Sequence, residues 1–508
     1  MPHSVLAGDR IGTVVADPFR GTPSFSIVHA ELAPGNKARP GELLLLEADE
    51  NTYTLGRVEG GRDVNPYETA DQVHTRTLLE MESTSRRDDM PRRYRLIELD
   101  LIEEIQEDGG RVKLREPQLL VEAGSAVFRP NPNIVAPALG LLPPGDPSSA
   151  SGLFVGTTVG GLALPVVLKP NEVLSRHVLI VGTTGTGKSY LRGVLAEEIK
   201  KLGIAQVAVD VHGESSDATT ELGGVNLRPG DGLTVKLSSL SEPEVMGFIP
   251  FLTELQGEIV RRAFLELKRR SVREGTDFSL DDLLAEIDLV GPRMEARAST
   301  MSAARSRAEM LRFVKVIGGG VNWPRLLRSG SIVNIDCRGL EHSELEAVAG
   351  GVARELLSLR MAKKIPPLVL SIDEAHLFLP HSEDVPSSQV IREVIRFGRH
   401  YGIGLALITP SPMDIDRRIV RTTNCRFIFS TEPDQLDALK GVFADTPDEL
   451  IARLPKLEQG TCLLTGSKET IRHSILIRVR ERKTTHGGKT PDFVGESKSF
   501  SGGAPGDA

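Results

Sequence analysis

RHVLIVGTTGTGKSYLRGVLAEE, residues Arg176 to Glu198, is the stretch whose reading decides the fold. Val178, Leu179, Ile180 and Val181 form an apolar run of strand length, bounded by a glycine. Gly182-Thr183-Thr184-Gly185-Thr186-Gly187-Lys188-Ser189 then fits the pattern G-x-x-x-x-G-K-[ST] at each fixed position, and Tyr190 follows directly. Leu191, Val194, Leu195 and Ile199 recur at helical spacing. Strand, glycine-rich loop and helix in that order form a phosphate cradle. The glycines let backbone N–H groups turn inward on an anion, and the helix N-terminus adds its positive dipole end. Lys188 supplies a point charge to the β- and γ-phosphates and Ser189 a hydroxyl to Mg²⁺. A ligand-free glycine turn matches the letters but not the flanking elements.

Working outward, residues 205–210, AQVAVD, read as a second strand that completes a βαβ unit. Asp210-Val211-His212-Gly213-Glu214 follows at the carboxyl end of that strand, where open α/β sheets bind ligands. Strands resume at 331–336, SIVNID, and at 367–372, PLVLSI, which runs into Asp373-Glu374-Ala375-His376. In this position Asp373 is expected to hold Mg²⁺ through its water shell, and Glu374 to orient and polarise the attacking water. Helix capping is the alternative use of such a pair. Residues 387–403, SSQVIREVIRFGRHYGI, put Ile391, Val394 and Ile395 on one helical face and Arg392, Arg396 and Arg399 on another. That arginine row is either a solvated face or the source of an arginine reaching a neighbouring subunit's γ-phosphate. Residues 404–409, GLALIT, form a further strand that ends on Thr409, at the place of a γ-phosphate sensor. Two more strands, 426–430 and 461–464, extend the sheet. The expected fold class is α/β: a RecA-like P-loop core with an N-terminal small β-barrel and an inserted helical bundle.

The barrel is read from short β-like runs at 12–16, 25–28, 42–47, 53–58, 95–99 and 112–114, separated by Gly, Pro, Asn and Asp. Residues 61–92 are polar and read as a long loop with a short helix. The boundaries drawn from composition are 1–130 for the barrel and 131–152 for a Pro/Gly/Ser-rich linker. The P-loop domain is assigned 153–482, with a helical insertion at about 241–317, and 483–508 a strap and flexible tail. The insertion carries Arg261-Arg262 and Lys268-Arg269-Arg270, either a solvated face or a DNA contact.

With 508 residues the chain has room for roughly two to four domains. Its net charge of −8 and pI of about 5.9 do not advertise a nucleic-acid binder, so any DNA contact must come from local clustering. Cys337, Cys425 and Cys462 are far apart and in apolar surroundings, which argues for buried thiols and against a metal site. The opening MPHSVLAGDRIG lacks a basic and an apolar signal region, and no apolar stretch is long enough for a membrane helix. A cytoplasmic protein without a membrane partner is expected.

The phosphate loop, Asp210-Val211-His212-Gly213-Glu214, Ile372-Asp373-Glu374-Ala375-His376, Phe397-Gly398-Arg399-His400-Tyr401-Gly402 and the closing segment 484–492, TTHGGKTPD, occur in this order. Together they resemble the HerA family of the HerA/FtsK superfamily, over nearly the whole chain. The resemblance implies a homohexamer that hydrolyses ATP between subunits and moves double-stranded DNA through its pore. It implies a nuclease partner, commonly NurA, in DNA end resection, or a sirtuin-like or other effector in anti-phage defence. It also gives site roles: Lys188 and Ser189 on phosphate and Mg²⁺, Glu374 as catalytic carboxylate with Asp373 beside the metal, and Arg399 as trans-acting finger. Arg176 becomes a second arginine near the nucleotide, and Asp210 and Glu214 line the site near the γ-phosphate. The segment His486-Gly487-Gly488 is either a strap across the neighbouring subunit or a simple turn. Pore-loop candidates are residues 217–227 and 384–389.

One departure stands out. The family commonly has Thr-Gln-x-Pro-Ser where this chain has Thr409-Pro410-Ser411-Pro412. Proline has no amide to sense nucleotide, which puts the coupling of hydrolysis to movement in question. A nucleotide-gated scaffold is therefore the competing reading. A GTPase is disfavoured by the lack of an [NT]-K-x-D guanine-reading motif.

Overall fold

A computed structural model describes residues 7–16, 23–64, 94–108, 111–143, 145, 151–382, 384–443 and 446–487. The chain divides into two units, one made of residues 1–172 and 424–480, the other of 173–423 and 481–508.

The first unit begins with β1 (Ala7–Val15), β2 (Ile27–Leu32), β3 (Leu43–Asp49), β4 (Thr52–Val64), β5 (Tyr94–Asp108), β6 (Arg111–Arg115) and β7 (Ala126–Pro130). They pair in the order β2-β1-β7-β3-β4-β5-β6, and a further β2–β5 pairing closes the sheet on itself. That pairing covers the outer side of β2, an edge that would otherwise recruit other strands, and leaves β6 paired with β5 alone among the described strands. Its interior is a cluster of Ile11, Val14, Val28, Leu44, Leu46, Val58, Leu99 and Val127, all buried. Glycine is needed where strands come closest: a Cβ at Gly12 would lie 2.4 Å from the Glu31 carbonyl oxygen. Residues 61–64, expected in a loop, continue β4, and the rest of that expected loop and helix lies outside the described residues.

The expected linker is ordered over much of its length. Asn131 caps a helix at Pro132–Ala138, its side chain accepting from the Asn133 N–H, and Ile134, Val135, Ala136 and Ala138 are buried. Proline at the first helical position suits a helix start as well as a linker. The boundary at 153 shifts too. β8 (Leu153–Thr158) and β9 (Pro165–Leu168) group with the first unit, not with the nucleotide-binding core.

The second unit opens with β10 (Val178–Val181), helix α1 (Lys188–Lys201), β11 (Ala205–Asp210), β12 (Val225–Pro229) and β13 (Gly232–Leu233). The short pair β14 (Val235–Lys236) and β15 (Ile317–Gly318) brackets the insertion. β16 (Ile332–Asp336), β17 (Leu368–Ile372) and β18 (Ile403–Thr409) complete the sheet. The seven parallel strands run β13-β12-β16-β11-β17-β18-β10. Each residue of β10, β16 and β18 is buried, as expected of strands covered on both faces. The phosphate loop, the 210–214 segment and the Asp373-Glu374 pair all leave the carboxyl ends of their strands, so the sheet gathers them at one edge.

Three longer helices make up most of the insertion: α2 (Glu254–Glu274), α3 (Leu280–Arg293) and α4 (Ala298–Glu309). Thr253 with Gln256, and Ser279 with Asp282, form capping boxes that start α2 and α3. Gly275, at φ 68°, ends α2 in the left-handed conformation glycine takes without strain. Val260, Phe264 and Leu267 on α2 and Leu284 and Ile287 on α3 are buried, with Phe264 edge-on to Phe278 at 5.6 Å. The basic stretches here are answered internally. Arg261 donates to Glu242 at 2.8 Å and Arg262 to Glu258 at 2.7 Å. Arg270 pairs with Glu286, and Lys268 donates to the Ser238 and Leu240 carbonyls.

β19 (Cys425–Ile428), β20 (Thr461–Gly466) and β21 (Ile475–Val479) return to the first unit, in the antiparallel order β19-β20-β21-β8-β9. The domain drawn as 153–482 therefore spans parts of both units. All three cysteines are free and buried. No helix among the described residues is long and apolar enough to cross a membrane.

Candidate nucleotide site

The loop from Gly182 to Ser189 joins β10 to α1, with Gly187 at φ 121° as the residue before the helix. That backbone angle is closed to ordinary side chains, so a glycine here is what lets the loop turn its amides inward. Lys188 is buried, and its Nζ donates to the Thr183 carbonyl at 3.0 Å. Thr186 Oγ1 donates to the same oxygen at 2.7 Å. Burial pulls the Lys188 ammonium below its usual pKa, and the carboxylates of Glu374, Asp373 and Glu214 oppose that.

Asp373 and Glu374 follow β17. Asp373 is almost wholly buried, and burial raises its carboxyl pKa against the nearby Arg192, with Asp210, Glu374 and Glu214 adding to the rise. Glu374 has a left-handed backbone (φ 48°, ψ 46°), a strained conformation for a side chain of this kind. Its Oε1 lies 3.2 Å from His212 Nε2 and its Oε2 3.3 Å from His376 Nδ1. Glu214 carries a buried Oε2 with no hydrogen-bond partner among the described residues.

Asp210, fully buried, sits behind this front rank. Its Oδ2 accepts from the Ser215 N–H at 2.7 Å, while Oδ1 has no hydrogen bond. Arg192 links the two ranks: Nη1 lies 3.5 Å from Asp210 Oδ1 and 3.4 Å from Asp373 Oδ2, and Nη2 donates to Ser215 Oγ. Burial by itself would lower the Arg192 pKa, but Asp373, Asp210 and Glu214 raise it, so the guanidinium stays charged. The sequence reading missed this residue. Its signal was a charge one residue past Leu191, on the helical face that burial requires to be apolar.

Four carboxylates thus face Lys188 and Arg192, and two of their buried oxygens lack hydrogen bonds. That excess fits a divalent cation arriving with its own phosphate and water ligands. Among the described residues no group of His, Cys, Asp and Glu is arranged to hold a metal alone, which is how Mg²⁺ with a nucleotide is usually bound.

Thr409 aligns with Val181 across β18 and β10, beside the loop. It is fully buried, however, and its hydroxyl donates to the Ser411 carbonyl at 3.0 Å. Tyr190 is also engaged: its hydroxyl accepts from the Arg482 N–H at 2.6 Å, and His486 meets its ring edge-on at 6.0 Å. Segment 482–487 lies along its own chain. Glu197 Oε1 accepts from Lys483 and Thr484 at 2.8 Å, Thr485 bonds to Glu221, and Arg482 passes over Gly193. Residues 482–487 thus pack on α1 and on residues 214–221, and the remainder of 483–508 lies outside the described residues.

Arg176 and Arg399 are elsewhere. Arg176 precedes β10, at the end opposite the phosphate loop of its own chain. Next to it, buried His177 accepts from the Leu405 N–H at Nδ1 (3.1 Å) and donates from Nε2 to the Ile395 carbonyl (2.9 Å). This pair of bonds fixes one neutral tautomer, and burial lowers its pKa in the same sense. It also ties the amino end of β10 to α5 (Pro386–Tyr401), the helix that precedes β18. Arg399, on the last turn of α5, is exposed and has no salt bridge among the described residues. Arg392 of the same row pairs with Asp384 at 2.5 Å and Asp416 at 3.1 Å, and Arg396 lies over the Phe397 ring.

The sequence profile of the helicase HerA central domain matches residues 153–356. The chain carries a HerA-family ATPase domain. The DNA double-strand break repair helicase HerA of Sulfolobus acidocaldarius is 23% identical over 379 residues, 69% of this chain and 73% of that one. The HerA helicase of Saccharolobus solfataricus is 24% identical over 349 residues, 64% and 68% of the two chains. Among solved structures, VirB4 of Thermoanaerobacter pseudethanolicus covers 66% of this chain and 98% of its own, with a TM-score of 0.52 at 14% identity. At that identity the likeness is one of fold.

Proposed function

We propose that the protein is a homohexameric ring that hydrolyses ATP at subunit seams and moves double-stranded DNA through its pore, with a NurA-like nuclease as partner in end resection. The observation that carries this reading is an incomplete site. At the carboxyl edge of the sheet each guanidinium is already engaged, Arg192 by Asp210 and Asp373, while Arg399 and Arg176 stand at the amino edge. A second copy presenting that edge supplies what the first lacks. The closed N-terminal sheet is read as the small barrel of the family, and the names of the HerA relatives direct the choice of DNA.

In this mechanism the loop amides and Lys188 hold the triphosphate, Lys188 leaving the Thr183 carbonyl for the γ-phosphate. Ser189 and, through water, Asp373 would hold Mg²⁺, which would supply neutralisation of the phosphate charge. Glu374 accepts a proton from the attacking water at a carboxylate oxygen, and Arg399 of the next subunit meets the charge on the departing phosphoryl group. Asp210 and Glu214 set the field of the site through Arg192 and Lys188.

The second reading is a nucleotide-driven ring within an anti-phage complex with a sirtuin-like or nuclease effector. Thr409-Pro410-Ser411-Pro412 favours it, because the Thr409 hydroxyl is closed onto Ser411 and no glutamine follows to report nucleotide state. Mixing Arg399→Ala protein into wild type tests the seam. ATP turnover should fall more steeply than the wild-type fraction, and a strictly proportional fall refutes an arginine acting in trans.

A further inference from the structure

We propose that His212 is a positioning residue that latches the carboxylate of Glu374 away from the phosphate loop until the site is completed. The proposal rests on the role given to Glu374 above. His212 leaves the carboxyl end of β11, and in the sheet β17 lies between β11 on one side and β18 then β10 on the other. Its Nε2, 3.2 Å from Glu374 Oε1, therefore approaches from the side opposite the phosphate loop. With strands spaced about 4.8 Å apart, β10 lies roughly 10 Å across from β17, so a carboxylate drawn toward β11 is drawn away from phosphate. His376 Nδ1 lies 3.3 Å from the second oxygen, so both oxygens face imidazoles. Lys188 is parked in the same manner, on the carbonyl of Thr183.

The latch is built to release. The His212 side chain is 56% exposed against 21% for Glu374, so it sits on the solvent side of the contact. The strained left-handed backbone of Glu374 is a conformation that its surroundings must hold, and the hydrogen bond to His212 is one of the things that hold it. Gly213, at φ 70°, lets the loop carrying His212 turn tightly, and Arg338 packs against it. An exposed hydrogen bond of this kind is weak enough for nucleotide and a neighbouring subunit to displace.

The test is ATP turnover by the full-length protein without DNA. His212→Ala should raise kcat about five- to tenfold with KM for ATP little changed, as expected from losing one such bond. His212→Gln, whose amide can reach the same oxygen, should fall between the alanine variant and wild type. The double variant His212→Ala/Glu374→Gln should be inactive, showing that the added turnover runs through Glu374. Turnover of His212→Ala at or below wild type, with Glu374→Gln inactive, overturns the latch. Wild-type turnover by Glu374→Gln alone would instead sink the assignment of Glu374, and the latch with it.

Discussion

Buried carboxylates occur in both units, and their surroundings differ. In the first unit Glu104 is fully buried within β5, where it accepts from Arg115 Nε at 2.7 Å, from the Gln118 N–H at 2.7 Å and from the Leu119 N–H at 3.0 Å. Burial alone would raise its pKa, but these donors outweigh it and hold the carboxyl below the usual range. In the second unit Asp373 is raised by burial among like charges, and Asp210 and Glu214 each keep a buried oxygen without a hydrogen bond. The first unit uses its carboxylate to stabilise the fold. The second leaves charge unanswered, at a cost to stability that a bound cation and nucleotide can offset.

The comparison breaks most visibly at the loop. Lys188→Ala removes the ammonium aimed at phosphate and should lower ATP turnover at least about a hundredfold, measured as phosphate release, with the melting temperature little changed. Asp210→Asn is the sharper probe. It removes one of the crowded charges without changing shape, so turnover should fall roughly tenfold while the protein melts no lower than wild type. A clear drop in melting temperature would place Asp210 with Glu104 as a structural group.

Glu104→Ala should do the opposite, costing about 3 kcal/mol of stability in denaturant unfolding and leaving nucleotide affinity unchanged. Its pH dependence follows from the lowered pKa. A depressed carboxyl contributes stability above its unfolded value, near 4.5, and loses it as pH falls through the folded value. The gap between wild type and Glu104→Ala should therefore narrow below about pH 4.5 and stay constant from pH 5 to 7.

The same contrast marks what the sequence disclosed. The nucleotide core was legible because parallel strands buried on both faces are continuous apolar runs, and its phosphate loop, 210–214 segment and acidic pair each follow a strand end. Glu104 was not, because its partners, Arg115, Gln118 and Leu119, become neighbours only once β5 and β6 pair. Residues 132–138 looked like linker because proline and alanine spacing hid a short helix whose burial depends on the rest of its unit. Arg192 needed Asp210 and Asp373, one 18 and the other 181 residues away, before a charge on the apolar face of α1 made sense. Arg176 stands apart from the loop for a simpler reason. A four-residue strand separates it from the loop, and adjacency in sequence is distance along a strand.

The path of residues 482–487 along α1 has a practical corollary. A Cβ on Gly487 would lie 2.6 Å from the Glu214 carbonyl oxygen, so the backbone there runs against the rim of the catalytic pocket. A fluorophore attached at Gly487 itself would therefore report on the segment that carries His212 and Glu214.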